Sequence, residues 1–189
     1  MTINGGPPAP RRQETVPARA PAVLYRDALL EDAPALAVIS RDTFVATFGH
    51  LYPPEDLAAY MASKYGADIQ RAEIADASSH YRLAFRGDAL VGYCKTGALG
   101  LPVEEPGALE LHRLYVEAAE KGAGIAQSLM DEALDWARKQ GAPAIYLSVW
   151  ENNARAQRFY RRYGFQHVGE HGFMVGRMRD RDLIWRLGL

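Results

Sequence analysis

The sequence predicts one α/β domain in which helices flank a mixed sheet, and three observations carry that expectation. First, an apolar strand at residues 111–116 runs through the glycine-rich turn Lys121-Gly122-Ala123-Gly124-Ile125-Ala126 into an amphipathic helix and then a buried strand at 144–149. Second, strand-like and helix-like patterns follow one another along the chain in the order β, α, α, β, β, β, α, β, α, β, β. Third, 189 residues with 48% hydrophobic and 24% charged character suit a single well-buried core.

The elements can be justified in order. Residues 1–20 are rich in Pro, Ala, Gly and Arg, hold no apolar stretch for export and cannot bury enough surface to fold, so a disordered tail is expected there and a folded domain over 21–189. An Arg-rich start also suits a transit peptide, but the prolines break an amphipathic helix and Glu14 is out of character. Residues 23–27 form a first strand. Helices are expected over 31–48 and 54–64, with Leu36, Ile39, Phe44 and Phe48 inward and polar residues such as Asp32 and Ser40 outward. Strands at 81–85 and 89–95 are joined through Arg86-Gly87-Asp88, whose Gly-Asp pair tolerates a tight hairpin turn.

After the strand at 111–116, the glycine turn aims bare N–H groups at whatever meets the helix N-terminus. Unpaired donors and the positive end of the helix dipole favour an anion, and Gly122 and Gly124 let a phosphate approach the main chain. Ala126, Leu129, Met130, Ala133, Leu134 and Ala137 then recur at helical spacing, Gln127, Asp131, Glu132 and Arg138 face away, and Gly141 ends the helix. Further on, Asn152 or Asn153 caps a helix whose stripe is Ala156, Phe159, Tyr160 and Tyr163, and Gly164 closes it before a final strand pair.

Other function classes are weakened by composition. A formal net charge of −1 gives no bulk attraction to nucleic acid or membrane, and no stretch has the length of an apolar membrane span. The lone Cys94 fits a reducing, cytoplasmic compartment and is expected inside a strand. The five His residues show no zinc-like spacing, so no metal is expected. A dinucleotide fingerprint would need glycine where Gln127 stands, and a nucleoside-triphosphate loop would need Gly-Lys-Ser/Thr.

The motif that fits the turn is Q/R-x-x-G-x-G/A, and here the chain resembles the GNAT superfamily of acyl-CoA N-acyltransferases, with Lys121 where Gln or Arg is usual. Asn153, Ala156, Tyr160, Gly164 and Phe165 match the superfamily's second signature, N-x-x-A-x-x-x-Y-x-x-x-G-F. The resemblance covers residue 23 to the C-terminus and implies a GNAT-like domain with a mostly antiparallel central sheet. It is similar more narrowly to bacterial spermidine/spermine N-acetyltransferases of the PaiA type, through Thr43-Phe44, Thr47-Phe48-Gly49, Pro54-Glu55-Asp56-Leu57, Val149-Trp150-Glu151-Asn152-Asn153, His171-x-Phe173-x-x-Gly176 and Asp182-Leu183-Ile184.

That likeness implies acetyl-CoA as co-substrate and a small amine as acceptor, with no nucleic-acid or membrane partner and a homodimer left open. Lys121, Gly122, Ala123, Gly124, Ile125 and Ala126 would hold the pyrophosphate. Leu114, Tyr115 and Val116 would meet pantetheine and the carbonyl oxygen, and Asn153 the pantetheine arm. Arg158 or Arg161 would reach the 3′-phosphate, unless the cluster Arg155, Arg158, Arg161 and Arg162 is only a solvated helix face.

Acetyl transfer needs a neutral amine, a polarised carbonyl and a protonated leaving sulfur. Presenting a Lys-like amine of pKa ~10.4 neutral at pH 7 costs about 4.6 kcal/mol, which a base or desolvation must offset. Glu110, on the strand entering the turn, is the expected base, with His112 on the same strand face as a relay. A surface glutamate is the alternative for Glu110. Some relatives place a glutamate base on the next strand, where Ser148 stands, which leaves Glu110, a bound water or Glu151 for the role. Tyr160 would protonate the departing thiolate; otherwise it is a core aromatic. Glu104, Glu105, Glu110 and Glu151 are the acids available to attract a cationic acceptor. The alternatives are a protein N-terminal or lysine acetyltransferase and a non-catalytic acyl-CoA-responsive regulator.

Overall fold

A computed structural model describes residues 21–189, and the expected N-terminal tail lies outside the described residues. The described residues fold into seven strands and five α-helices: β1 (Val23–Asp27), α1 (Ala33–Phe48), α2 (Pro54–Lys64), α3 (Ala67–Ala75), β2 (Ser79–Arg86), β3 (Ala89–Ala98), β4 (Leu109–Val116), α4 (Ile125–Lys139), β5 (Ala144–Trp150), α5 (Ala154–Arg162), β6 (Gln166–Val175) and β7 (Met178–Gly188). One sheet holds all seven strands in the order β1-β2-β3-β4-β5-β7-β6. Every neighbouring pair is antiparallel except β4 and β5. This is the mixed, mostly antiparallel α/β domain expected.

Helices cover both faces, because the strands are apolar on both. On one face the stripe Leu129, Met130, Ala133, Leu134 and Ala137 of α4 buries against Cys94, Leu111, Ile145, Leu147 and Trp185, with Phe159 and Tyr160 of α5 beside it. On the other, Leu36 and Ile39 of α1 cover Tyr81, Leu83 and Tyr93, while Phe44 joins Tyr52, Met61, Tyr65 and Val175. Cys94 is enclosed, and burial pushes its thiol up to about 12, which makes it an inert core group. No helix among the described residues is long and apolar enough to cross a membrane.

Three local expectations are corrected. Helix α3 is absent from the expected element order, since only Ile69 and Ile74 mark its nine residues as amphipathic. Polar groups dock it instead. Gln70 Nε2 donates to the Lys64 carbonyl at 3.0 Å, and Glu73 receives Arg113 at 2.7 Å and Lys95 at 2.8 Å. Burial opposes the Glu73 charge, but Arg113 and Lys95 hold its carboxyl down to about 2. Asp32 and Ser40, expected outward, are buried. Asp32 turns in because Arg26 meets it with two bonds of 2.7 Å and the Leu29 N–H adds a third; Ser40 is small enough to sit among the apolar residues of α1.

Two departures from a regular sheet prepare the site. β4 pairs with β5 only at Leu109 and Glu110, opposite Ile145 and Tyr146, so the strands part beyond that point. Along its other edge Arg113 lies opposite Lys95 and Leu111 opposite Thr96, which leaves His112 as the extra residue of a bulge. Backbone groups of residues 111–116 that point away from β3 therefore face a gap rather than a strand.

Candidate active site

A cavity of about 820 Å³ runs from the gap between β4 and β5 to the aromatic cluster under α1 and α2. One end is made by the turn before α4. Gly122 and Gly124 have φ of +97° and +82°, a region in which a side chain is strained, and a Cβ at Gly122 would meet nothing within 4 Å. Gly124 caps α4 with no side-chain bond to its N-terminus. The N–H groups of Ile125, Ala126 and Gln127 have no partner among the described residues. Open space, free donors and the dipole of a 15-residue helix together suit a phosphate group.

The sequence-derived cofactor residues largely converge on this cavity. Leu114, Tyr115, Val116, Lys121, Gly122, Gly124, Ile125, Ala126, Asn153 and Tyr160 line it; Ala123 does not and is exposed. Asn153 is the α5 cap, its Oδ1 accepting from the Ala156 N–H at 3.1 Å. Arg158 lines the cavity, whereas Arg161 lies over the Trp185 ring at 5.2 Å and does not line it.

Tyr160 is wedged edge-on between Phe159 and Phe165, at centroid distances of 5.6 and 5.8 Å. Its hydroxyl has no partner among the described residues. Burial alone pushes it up to about 12, so the group is a protonated phenol near neutrality, available to donate.

Glu110, the expected base, is set back from the cavity. It is 7% exposed and does not line the cavity. Its Oε2 accepts from the Gly100 N–H at 2.9 Å and its Oε1 faces His112 Nδ1 at 3.1 Å. Burial would raise this carboxyl, but the His112 bond and the Gly100 and Leu101 N–H groups hold it below the usual carboxylate range. His112 does line the cavity, yet its Nε2 is engaged by the Ala98 carbonyl at 3.1 Å. Glu110 would therefore reach an amine only through His112 or a bridging water. Glu105 is held by Arg186 and Tyr146, Glu151 by Arg181, and neither these two nor Glu104 lines the cavity.

The acids at the far end of the cavity are Asp180 and Asp182 of β7, neither of them among the acids offered from sequence. Tyr52 donates to Asp180 Oδ2, and Ser148 Oγ donates to Asp182 Oδ2 at 3.2 Å. Around them stand the rings of Phe44, Phe48, Tyr52, Trp150 and Phe173. The signal that would have found the pair is the two-residue alternation of β7, which sets Asp180, Asp182 and Ile184 on one face.

The β6–β7 hairpin packs on α2 beside this end: Val175 is buried with Phe44, Met61 and Tyr65. At its tip Arg177 meets Glu55 at 3.2 Å and Asp56 at 3.4 Å. Those surface pairs add little energy, so the apolar packing is what holds the hairpin there.

Comparison with known proteins agrees with this geometry. Residues 34–165 match the model of the acetyltransferase (GNAT) family. An uncharacterised N-acetyltransferase encoded 3′ of pepI in Lactobacillus delbrueckii subsp. lactis is 30% identical over 161 residues, covering 84% of this chain and 93% of that protein. The N-alpha-acetyltransferase RimI of Mycobacterium tuberculosis is 39% identical over 97 residues, 51% of this chain and 58% of that protein. Among solved structures, the PaiA N-acetyltransferase of Thermoplasma acidophilum in complex with coenzyme A has a TM-score of 0.74, over 89% of this chain and 99% of that one, at 21% identity. At that identity the likeness is one of fold.

Proposed function

We propose that this chain, which belongs to the acetyltransferase (GNAT) family and is an acetyl-CoA-dependent N-acetyltransferase, acts on a small polycationic amine of the spermidine type. The observation that carries the acceptor class is the far end of the cavity, where Asp180 and Asp182 stand among aromatic rings. Carboxylates attract ammonium groups, and ring faces hold the cationic nitrogens and the methylenes between them. The PaiA-type resemblance of the sequence points the same way.

Within this reading the turn at 121–126 binds the pyrophosphate of acetyl-CoA through main-chain N–H groups, with Lys121 adding a cation at its mouth. Arg158, which lines the cavity, meets the 3′-phosphate. Residues 114–116, on the unpaired edge of β4, hold pantetheine as a strand would and offer N–H groups to the thioester oxygen, whose charge grows as the amine attacks. Asn153 fixes the start of α5, and through it the position of Tyr160, which protonates the leaving sulfur. Glu110 is a positioning residue that fixes His112 and the loop at Gly100, unless it draws a proton through them.

A second reading, acetylation of protein N-termini, is favoured by the partial similarity to RimI. An extended peptide needs an open groove, whereas the β6–β7 hairpin packs on α2 beside the acceptor end. A panel of free amines and one Ala-first peptide, assayed for CoA release, separates the two. Spermidine and spermine should turn over at least tenfold faster than a monoamine of similar length; turnover of the peptide alone would reverse the assignment.

A further inference from the structure

Most acids near the cavity are already satisfied: Glu110 by His112 and a backbone N–H, Glu105 by Arg186, Glu73 by Arg113 and Lys95, Glu120 by Arg86. Asp182 is the buried exception: Asp42 and Glu117 also line the cavity but face solvent, and Asp180 is half-buried with Tyr52 as its partner. Asp182 is 8% exposed, it lines the cavity, and its one hydrogen bond among the described residues is the neutral Ser148 hydroxyl. No Lys or Arg among the described residues pairs with it. A buried carboxylate without a cation is costly, and a fold keeps one where a cation is to arrive.

We infer that Asp182 is a catalytic residue of this enzyme, receiving the ammonium group of the acceptor and taking its proton. The inference rests on the small-amine reading above and names the group that acts within that site.

The position suits the role. Asp182 lies opposite Trp150 on β5 and His171 on β6, so these side chains share its sheet face. Ser148 is bonded to Oδ2, which leaves Oδ1 for the substrate. The titratable groups around Asp182 are Asp180 on its own strand, His171 on β6, Tyr52 before α2 and Tyr60 on α2. Burial raises the Asp182 carboxyl, with Asp180 adding to this and His171 and Ser148 opposing it, and the balance stays above the ordinary value. A stronger base than a free aspartate results.

The protons balance. The ammonium gives one proton to Asp182, which later releases it to water. The freed lone pair forms the N–C bond while the C–S bond of the thioester breaks. The nitrogen's second proton replaces the one that Tyr160 gives to the sulfur, so the products are the amide, the CoA thiol and one proton.

The test is Asp182→Asn in the full chain, measured with the best acceptor of the amine panel across pH. At pH 7 kcat/KM should fall at least 100-fold and recover in part as the pH nears the amine pKa of ~10. CoA affinity by calorimetry should stay within twofold, and Tm should hold or rise because an unpaired buried charge is gone. Ser148→Ala supplies a second variant, since losing that hydrogen bond should move the acid limb of kcat/KM to higher pH. A fall in kcat/KM of less than threefold, a lowered Tm, or an unmoved acid limb in Ser148→Ala would overturn the inference. Failure of the wild type to acetylate any amine would instead overturn the acceptor reading, and this inference with it.

Discussion

The two ends of the cavity are built by opposite means. At the proposed cofactor end the groups on offer are main-chain N–H groups, from the contiguous turn at 121–126 and the free edge of β4, and their geometry is fixed by backbone angles such as φ +82° at Gly124. At the acceptor end they are side chains gathered from α1, the segment before α2, β5, β6 and β7, from Phe44 to Asp182. A main-chain site recognises what every acyl-CoA shares, and few side chains need to be kept for it. A side-chain site can be retuned one residue at a time, so substrate choice is expected to reside there.

Substitutions at the two ends should fail differently. The largest effect is expected for Gly124→Glu, which forces a side chain into a left-handed conformation and sets a negative charge beside the pyrophosphate. CoA affinity should drop on the order of 100-fold or more by calorimetry, with amine selectivity untouched; unchanged affinity would remove the turn from the cofactor site. Tyr160→Phe, at the junction of the two ends, should lower kcat about 100-fold while leaving Tm unchanged, because the ring contacts with Phe159 and Phe165 persist and the hydroxyl has no partner among the described residues. Activity within threefold of wild type would make Tyr160 a core aromatic.

Glu110→Gln should behave as a structural change with a smaller cost in rate. Its folded carboxyl titrates below the ordinary value of 4.5, so its contribution to stability is fully present above that value and is lost as pH falls through the folded pKa. The Gln variant should therefore be less stable at neutral pH by about 1–3 kcal/mol and show a flatter acid limb in thermal unfolding. Its kcat/KM should fall by no more than about tenfold. A deeper loss that recovers toward pH 10 would restore Glu110 as the base. The smallest effect is expected from salt: KM for spermidine should rise a few-fold between low and physiological ionic strength, and KM for a monoamine less, since partly open carboxylates are screened.

The same contrast explains what could be read before the fold was known. The glycine turn, the α4 stripe and the Asn153–Tyr160 spacing are local patterns, and local patterns survive in sequence. Asp180 and Asp182 were hidden because their face of β7 acquires meaning only when β5 and β6 pair on either side of it. Glu110 was legible as an acid on the right strand, but its partner Gly100 arrives from a loop that no periodicity announces. Helix α3 escaped for a related reason: Gln70 and Glu73 look solvent-facing until Arg113 and Lys95 of the sheet meet them.

The most direct measurement is a competition in one vessel. Equal concentrations of spermidine and an Ala-first peptide share limiting acetyl-CoA and the enzyme, and the products are resolved by mass spectrometry, which reads the ratio of the two kcat/KM values. An acetyl group on spermidine in at least tenfold excess is the result expected from an acceptor end holding Asp180 and Asp182. Acetylation chiefly at the peptide N-terminus would contradict it.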